Sequence, residues 1–241
     1  SRTSTTNTIL GRSWFGYMMH TSVFSGTENL IIIAAAGITK NFPMFTSDSI
    51  NVNGMYVQTA GTVTTAVASA AVVGVGTAFL TTARAGGIFA VSNTVGLISS
   101  VTNDTNLTLT ANFGVLNSGT SYSILPGFSA ALRVGFTDQN SKVWICGRGN
   151  TAISFNGSYA VYIDNFPQAE YSLTYKNYTF AANTSSNTSR IQWSALKDPT
   201  TWPASNFIDV NPDDGFPIVG LAFDGQSIII FKTNTAWKLT G

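Results

Sequence analysis

The sequence predicts an all-β protein made of β-propeller-like antiparallel blades and a small inserted β-barrel or sandwich module. Its apolar residues alternate or form short blocks rich in Thr, Val, Ile, Phe and Tyr, which is typical of strands. Gly, Asn, Asp, Ser and Pro separate these blocks at intervals typical of antiparallel meanders. A strand–turn–strand unit recurs along the chain, and one segment of different composition interrupts the recurrence.

The recurring unit places Asn-Thr-Ala after an apolar run and before a second alternating run. It occurs at 142–155 and again at 227–239, so that 84 positions separate Asn150 from Asn234. Segment 178–194 has the same plan with a longer turn, which reduces the spacing to about 42, within the blade lengths of β-propellers. These units predict successive blades.

The interrupting segment divides the chain into three parts. A fourth unit at 29–45 lies about 113 positions before the strand that begins at Val143, which breaks the spacing. Residues 56–126, dominated by Ala, Val, Thr, Gly, Ser and Asn, account for the break, because their removal restores the spacing. We therefore predict a first blade region at 1–55, an inserted small β domain at 56–126 and further blades at 127–241. An insertion in a blade loop adds little closure entropy.

Two local signals concern turns and strand type. Asp224-Gly225 is the clearest turn, because Gly can adopt a positive φ between the apolar runs 218–223 and 227–231. Segment 66–73 has some helix propensity. The Thr and Val runs around it and the Gly-Val-Gly break after it favour a strand of the inserted module.

Composition excludes several functional classes. Only 10% of the residues are charged, and the formal net charge is +1. No uninterrupted apolar stretch has membrane-spanning length, so we predict no membrane insertion. Binding to nucleic acids or anionic membranes would require clustered Lys and Arg, which the sequence lacks. Such a weakly charged surface suits faces that are buried against other subunits.

Two residue types that occur once in the sequence lead to structural expectations. Cys146 is the only cysteine and lies in an apolar strand, so we predict a buried hydrophobe and no intrachain disulfide. His20 is the only histidine, which excludes a multi-His metal site and indicates a packed structural role.

The chain starts without Met or a targeting segment and stops after a complete strand. Because an open propeller would leave unpaired edges, we expect a segment of a longer polypeptide.

One loop has the beginnings of a cation site. Residues 209–215 read Asp-Val-Asn-Pro-Asp-Asp-Gly and place oxygen ligands at alternating positions, which makes Asp209, Asn211 and Asp213 weak calcium candidates. The Gly comes one position late for a calcium loop, and no Glu follows to act as the bidentate ligand. The stronger prediction is a turn that caps a blade, with no metal and no cofactor.

Catalysis is not predicted. Asp198 and Trp202 faintly resemble the Asp-box turn of carbohydrate-processing propellers, but the spacing differs by one residue and that box is structural. Glycoside hydrolysis needs two facing carboxylates, and the only glutamates, Glu28 and Glu170, belong to no site-like cluster. We therefore predict no catalytic residues and no enzymatic activity.

The tryptophans divide into two groups. Trp144, Trp193 and Trp237 occupy strand positions of the recurring units, where large rings can fill the gap between twisted blades. Trp202 lies in a loop between Thr and Pro, and we predict that it contacts another subunit rather than a glycan.

The inserted segment matches a known module. Its pieces 72–79, 85–91, 97–109 and 121–124 contain a Gly-Thr-x-Phe turn, a Gly-Gly-Ile strand, an Ile-x-x-Val-x-x-Asp-Thr-x-Leu-Thr hairpin and a closing Tyr-x-Ile strand. This pattern resembles a small β module common in tailed-bacteriophage tail and virion proteins.

The remaining blades carry a second resemblance. Segment 190–203, followed by 218–221, 228–232 and 237–239, looks like the blade sequence of phage tail β-propeller proteins. These include proteins that form the hexameric nozzle at the tip of short tails. Segment 23–30 resembles a first-blade segment of the same proteins.

These resemblances imply a structural virion protein in the phage tail, with a propeller packed around the genome-delivery channel. The implied partners are other copies of the chain in a closed ring, with a hexamer favoured, neighbouring tail proteins and, at most passively, passing DNA. The alternative is a carbohydrate-binding, lectin-like propeller for host attachment that uses the loop aromatics Trp202, Tyr159 and Tyr162. A lectin should have near-identical blades with a repeated sugar motif. Here the blades diverge at their loops, which favours the structural, ring-forming protein over the lectin-like propeller.

Overall fold

The computed structural model describes residues 17–24, 27–34, 44–46, 49–53, 56–92, 94–127, 134–156 and 159–240, with side chains from Tyr56 onward. Within these ranges the chain forms strands, one four-residue α-helix and one 3-10 turn. The sheets are mostly antiparallel, with one isolated parallel bridge between Val57 and Ala160, which confirms the all-β class. In chain order the strands are β1 (Tyr17–Phe24), β2 (Thr27–Ala34), β3 (Met44–Thr46), β4 (Ser49–Asn53), β5 (Thr62–Thr65), β6 (Ala71–Val75), β7 (Ile88–Val91), β8 (Thr94–Asn103), β9 (Asn106–Leu109), β10 (Asn117–Thr120), β11 (Ser123–Leu125), β12 (Val134–Gln139), β13 (Lys142–Gly147), β14 (Asn150–Phe155), β15 (Ala160–Ile163), β16 (Ala169–Tyr175), β17 (Tyr178–Thr184), β18 (Arg190–Trp193), β19 (Phe207–Asp209), β20 (Ile218–Phe223), β21 (Ile228–Lys232) and β22 (Ala236–Leu239).

Four of the sheets share one plan. In each, every strand pairs with the next strand of the chain, giving the sheets β1–β4, β12–β15, β16–β19 and β20–β22. The first strands contact one another in chain order: β1 contacts β12, β12 contacts β16, and β16 contacts β20. No propeller is detected in the described ranges, so the propeller-like arrangement of these sheets stays a prediction.

The segment between β4 and β12 forms a different sheet. Its strands pair in the order β10-β5-β6-β9-β8-β7-β11 and curl into a half-barrel. The helix α1 (Phe79–Thr82) places the fully buried Phe79 in this module, where its ring meets the edge of Tyr122 at 5.6 Å. Segment 66–73 is helix-free but only partly a strand, because β6 begins at Ala71 and a turn precedes it.

The module is joined to the edge of the sheet β12–β15. Val57 N donates to Ile124 O of β11 at 2.8 Å, and Ala160 N of β15 donates to Tyr56 O at 2.7 Å. One hydrophobic cluster also contains module residues together with residues of β13, β14 and β15. The predicted domain limits at 56 and 126 stay predictions, but the apolar core is continuous across the second of them.

The strand β13 is buried on both faces. Val143 and Ile145 belong to the cluster shared with the module, whereas Trp144 and Cys146 belong to a second cluster with residues of β16 and β17. This explains why 143–146 is a continuous apolar run rather than an alternating one, since both faces of the strand pack against other sheets.

The sheets β12–β15 and β16–β19 meet at a close backbone approach. A Cβ atom built on Gly135 would lie 2.9 Å from Ser172 N, 3.0 Å from Cys146 Sγ and 3.1 Å from Glu170 O. The hydroxyls of Thr137 and Thr174 form a hydrogen bond of 2.7 Å across the same contact. Only glycine therefore fits at position 135 without displacing main chain.

One turn expectation has a clear outcome. The turn at Asp224-Gly225 is confirmed: it links β20 to β21, with Gly225 at φ 94 and Asp224 Oδ1 accepting from Ser227 N at 2.7 Å. The expectations for the His20 and Glu28 side chains lie outside the described side chains.

Candidate functional site

The loop 209–215 encloses a positive charge supplied by the chain itself. Lys232, at the end of β21, has a side chain with 0% exposure. Its ammonium donates to Val210 O and Asn211 O at 2.8 Å each and to Asp214 Oδ1 at 2.5 Å. It also lies 3.3 Å from Ser189 Oγ. The oxygen atoms of the loop thus converge on an intrinsic ammonium group.

The three weak calcium candidates are not brought together by this arrangement. Asp209 instead binds the guanidinium of Arg190, with Nε–Oδ1 and Nη2–Oδ2 distances of 2.7 and 2.8 Å. The hydrogen bond from Arg190 holds the pKa of Asp209 below its usual value. Asn211 donates its side-chain amide to Asp214 Oδ2 at 3.1 Å, and Asp213 is exposed. Within the described ranges, no three His, Cys, Asp or Glu side chains cluster in a way that could hold a metal.

The carboxylates of Asp198 and Glu170 accept hydrogen bonds that stabilise the fold. Asp198 Oδ1 accepts from Thr200 N at 3.0 Å and Thr200 Oγ1 at 2.6 Å, and these hydrogen bonds lower the pKa of Asp198. Glu170 Oε2 accepts from the buried Asn183 at 2.8 Å, and the same Asn183 amide donates to Ile218 O of the next sheet at 3.0 Å. Asp198 therefore closes a turn, and Glu170 helps to join two sheets.

Trp202 is partly buried rather than fully presented at the surface. Its ring meets Phe166 edge-on at 4.9 Å, and Phe166 stacks on Trp144 at 6.2 Å. Its indole N–H donates to Pro199 O at 2.8 Å. These contacts attach the loop to the core, and a subunit contact through the remaining exposed surface stays a prediction.

The loop aromatics of the carbohydrate alternative have different environments. Tyr159 is 40% exposed, whereas Tyr162 is only 7% exposed and lies beneath the Arg84 guanidinium, 5.2 Å from the ring centroid. Burial raises the pKa of Tyr162. Arg84 in turn forms two 2.9 Å hydrogen bonds with Asp164, so that Tyr162 belongs to the junction between module and sheet.

The strand tryptophans only partly follow the predicted packing role. Trp144 is 3% exposed, and Trp193 packs against Phe180 at 6.0 Å. Trp237, in contrast, is 43% exposed on β22. The expectation of a ring buried between sheets is therefore met at Trp144, whereas Trp193 is only partly buried beside Phe180 of the neighbouring strand in its own sheet.

The structure also contains an aromatic cavity that sequence reasoning missed. It lies beside the β16–β17 turn and has a volume of about 310 Å³. Its lining comprises Tyr175, Lys176, Tyr178, Phe180, Trp193, Leu239 and Thr240. The available signal was the pair of tyrosines on either side of the Lys-Asn turn, but only the tertiary structure brings Leu239 of β22 beside these rings to form a half-open pocket.

Cys146 is fully buried, and we expect its thiol to be unreactive in the folded protein. Burial raises the pKa of Cys146 to about 11 from 9.0, which lowers the thiolate fraction at pH 8 about 100-fold. A colourimetric disulfide reagent should therefore react with one thiol only after unfolding in about 6 M guanidinium. Rapid reaction in buffer alone would instead mean that the contact between β13 and β16 opens readily.

No protein-family model and no curated protein matches this chain. Within the described ranges, no helix has the length and apolarity that crossing a bilayer requires.

Proposed function

We propose that this chain is a structural protein of a bacteriophage tail and forms part of a nozzle- or hub-like ring around the genome-delivery channel. The observation that carries the proposal is the contact of first strands β1, β12, β16 and β20 in chain order. This order of contacts supports reading the sheets as propeller blades, an architecture in which repetition about an axis leaves only short edges. The phage assignment comes from the sequence resemblances.

The described surface supports an assembly role. On the β20–β22 sheet, Val219, Phe231 and Trp237 are 39%, 42% and 43% exposed. In the module, Val75 and Leu116 are 71% and 69% exposed. Rings require heterologous interfaces, and exposed apolar side chains on a weakly charged surface can supply them.

The work we propose is mechanical rather than enzymatic. Asp198 closes a turn, Asp209 binds Arg190, and Asp214 binds Lys232. These carboxylates each stabilise a local structure, which is the use expected in a protein whose task is to hold a shape.

The test is electron cryo-microscopy of particles purified with the full-length protein, together with its native mass. We expect a closed ring of copies, sixfold and coaxial with a tail channel. A monomer or dimer with open loop faces would contradict the proposal. So would a ring that never associates with tail proteins when the two are mixed.

A further inference from the structure

The aromatic cavity has features of a binding site. Tyr178 and Trp193 are partly exposed at its walls, and Phe180 lies deeper with 7% exposure. Lys176 and Thr240 are exposed lining residues. The volume of about 310 Å³ falls at the lower end of the range for small-ligand pockets, about 300 to 1,000 Å³.

The walls are held in place by contacts between two sheets. The Tyr175 hydroxyl donates to Gln226 O in the β20–β21 turn. The Tyr175 ring lies 5.2 Å from Phe223 and 6.5 Å from Phe180. A cavity whose rings are already positioned loses little conformational entropy when a ligand enters.

The lining chemistry narrows the class of ligand. The described lining carries no carboxylate, so it supplies no acid–base pair for hydrolysis. Its Lys176 ammonium already lies over the Tyr175 ring, 5.3 Å from the centroid, which disfavours a second cation at these aromatic faces. The volume of about 310 Å³ is too small to hold a lipid chain of ordinary length. The remaining ligand class is a compact ring that is apolar on its C–H face and polar at its edge. The flat apolar body of a tyrosine can contact such a face, and its hydroxyl can hydrogen-bond a polar group at the edge.

We infer that this cavity binds one hexopyranose unit of a polysaccharide, with the sugar ring against Tyr178 and Trp193. This binding role goes beyond the structural one and does not depend on it, because the cavity is formed within one chain. It also differs from the loop-aromatic alternative, whose Tyr162 is buried elsewhere.

The experiment is saturation-transfer NMR of the full chain with free D-glucose, D-galactose, D-mannose, L-rhamnose and N-acetyl-D-glucosamine. We expect transfer to at least one sugar, with a dissociation constant on the order of 1 mM, as befits a single small ring. Trp193→Ala should weaken that binding at least about tenfold, because it removes one wall. Tyr178→Ala, at a partly exposed wall, provides a second variant should Trp193→Ala fail to fold.

Tyr56→Ala is the matched control, since it removes a 43% exposed aromatic ring that lies outside the cavity lining and outside the surface proposed for ring assembly. It should leave the affinity unchanged. The inference is overturned if none of the five sugars binds, or if both cavity variants bind as well as the parent protein. It is equally overturned if the cavity variants change the native mass but leave the sugar affinity unchanged. That result would mean that a side chain of a second copy occupies the cavity.

Discussion

Replacement of Lys232 by methionine is expected to lower the free energy of unfolding by about 3 kcal/mol, a loss typical of breaking a buried ion pair. Methionine preserves most of the side-chain volume but removes the ammonium that binds Val210 O and Asn211 O at 2.8 Å. Those two carbonyls would lose their charged donor, and the loop 209–215 would lose its attachment to β21. Urea unfolding followed by circular dichroism measures the change.

The matched control is Lys238→Met. Lys238 binds Asp224 Oδ2 at 3.1 Å, but its side chain is 53% exposed, so solvent screens the pair. Its urea midpoint should stay close to that of the parent protein. Equal losses in the two variants would mean that the loop does not depend on the buried ammonium.

The effect of Lys232→Met should also depend on pH. The hydrogen bond from Lys232 holds the pKa of Asp214 below its usual value of 3.8. A lowered carboxyl pKa contributes stability that is complete above the unfolded-state value and is lost as the pH falls through the folded-state value. The difference between parent and variant should therefore be largest near neutral pH and should shrink below about pH 4. A difference that grows on acidification would contradict this assignment.

Replacement of Gly135 by alanine is expected to lower the free energy of unfolding by about 2 kcal/mol, the usual cost of overpacking. The added Cβ would lie 2.9 Å from Ser172 N and 3.1 Å from Glu170 O, both main-chain atoms that cannot rotate away. The sheets β12–β15 and β16–β19 would have to separate slightly. Thermal unfolding of the purified variant measures the loss, and a shift in Cys146 reactivity would locate it at this contact.

Gly220→Ala is the control for the glycine substitution. A Cβ at position 220 would meet only the Phe231 side chain, at 3.6 Å and beyond, which is ordinary contact. We expect its stability to be unchanged or to rise by up to about 1 kcal/mol, because alanine restricts the unfolded chain. If both glycine variants behaved alike, the close approach at Gly135 would not limit the packing of the sheets.

The strands were largely predictable because their signals are local. The recurring units at 142–155 and 178–194 correspond to β13–β14 and β17–β18, and the Asp224-Gly225 turn is where its sequence predicts it.

The candidate site was less predictable. At 209–215 the sequence predicts a turn, with calcium only as a weak alternative, and neither reading anticipates that Val210 O, Asn211 O and Asp214 Oδ1 bind the Lys232 ammonium. Lys232 itself ends an apolar run and carries no local sign of burial.

The sequence by itself determined the all-β class, the positions of most strands and turns, and the low surface charge. Each of these follows from residue preferences and periodicity over a few neighbouring positions. Only the tertiary structure decided that Gly135 touches Ser172, that Lys232 closes the loop before β20, and that Tyr178 and Trp193 share a cavity. These contacts join residues from different strands, and most of them are far apart in sequence. They depend on how twisted sheets stack, which no local pattern records.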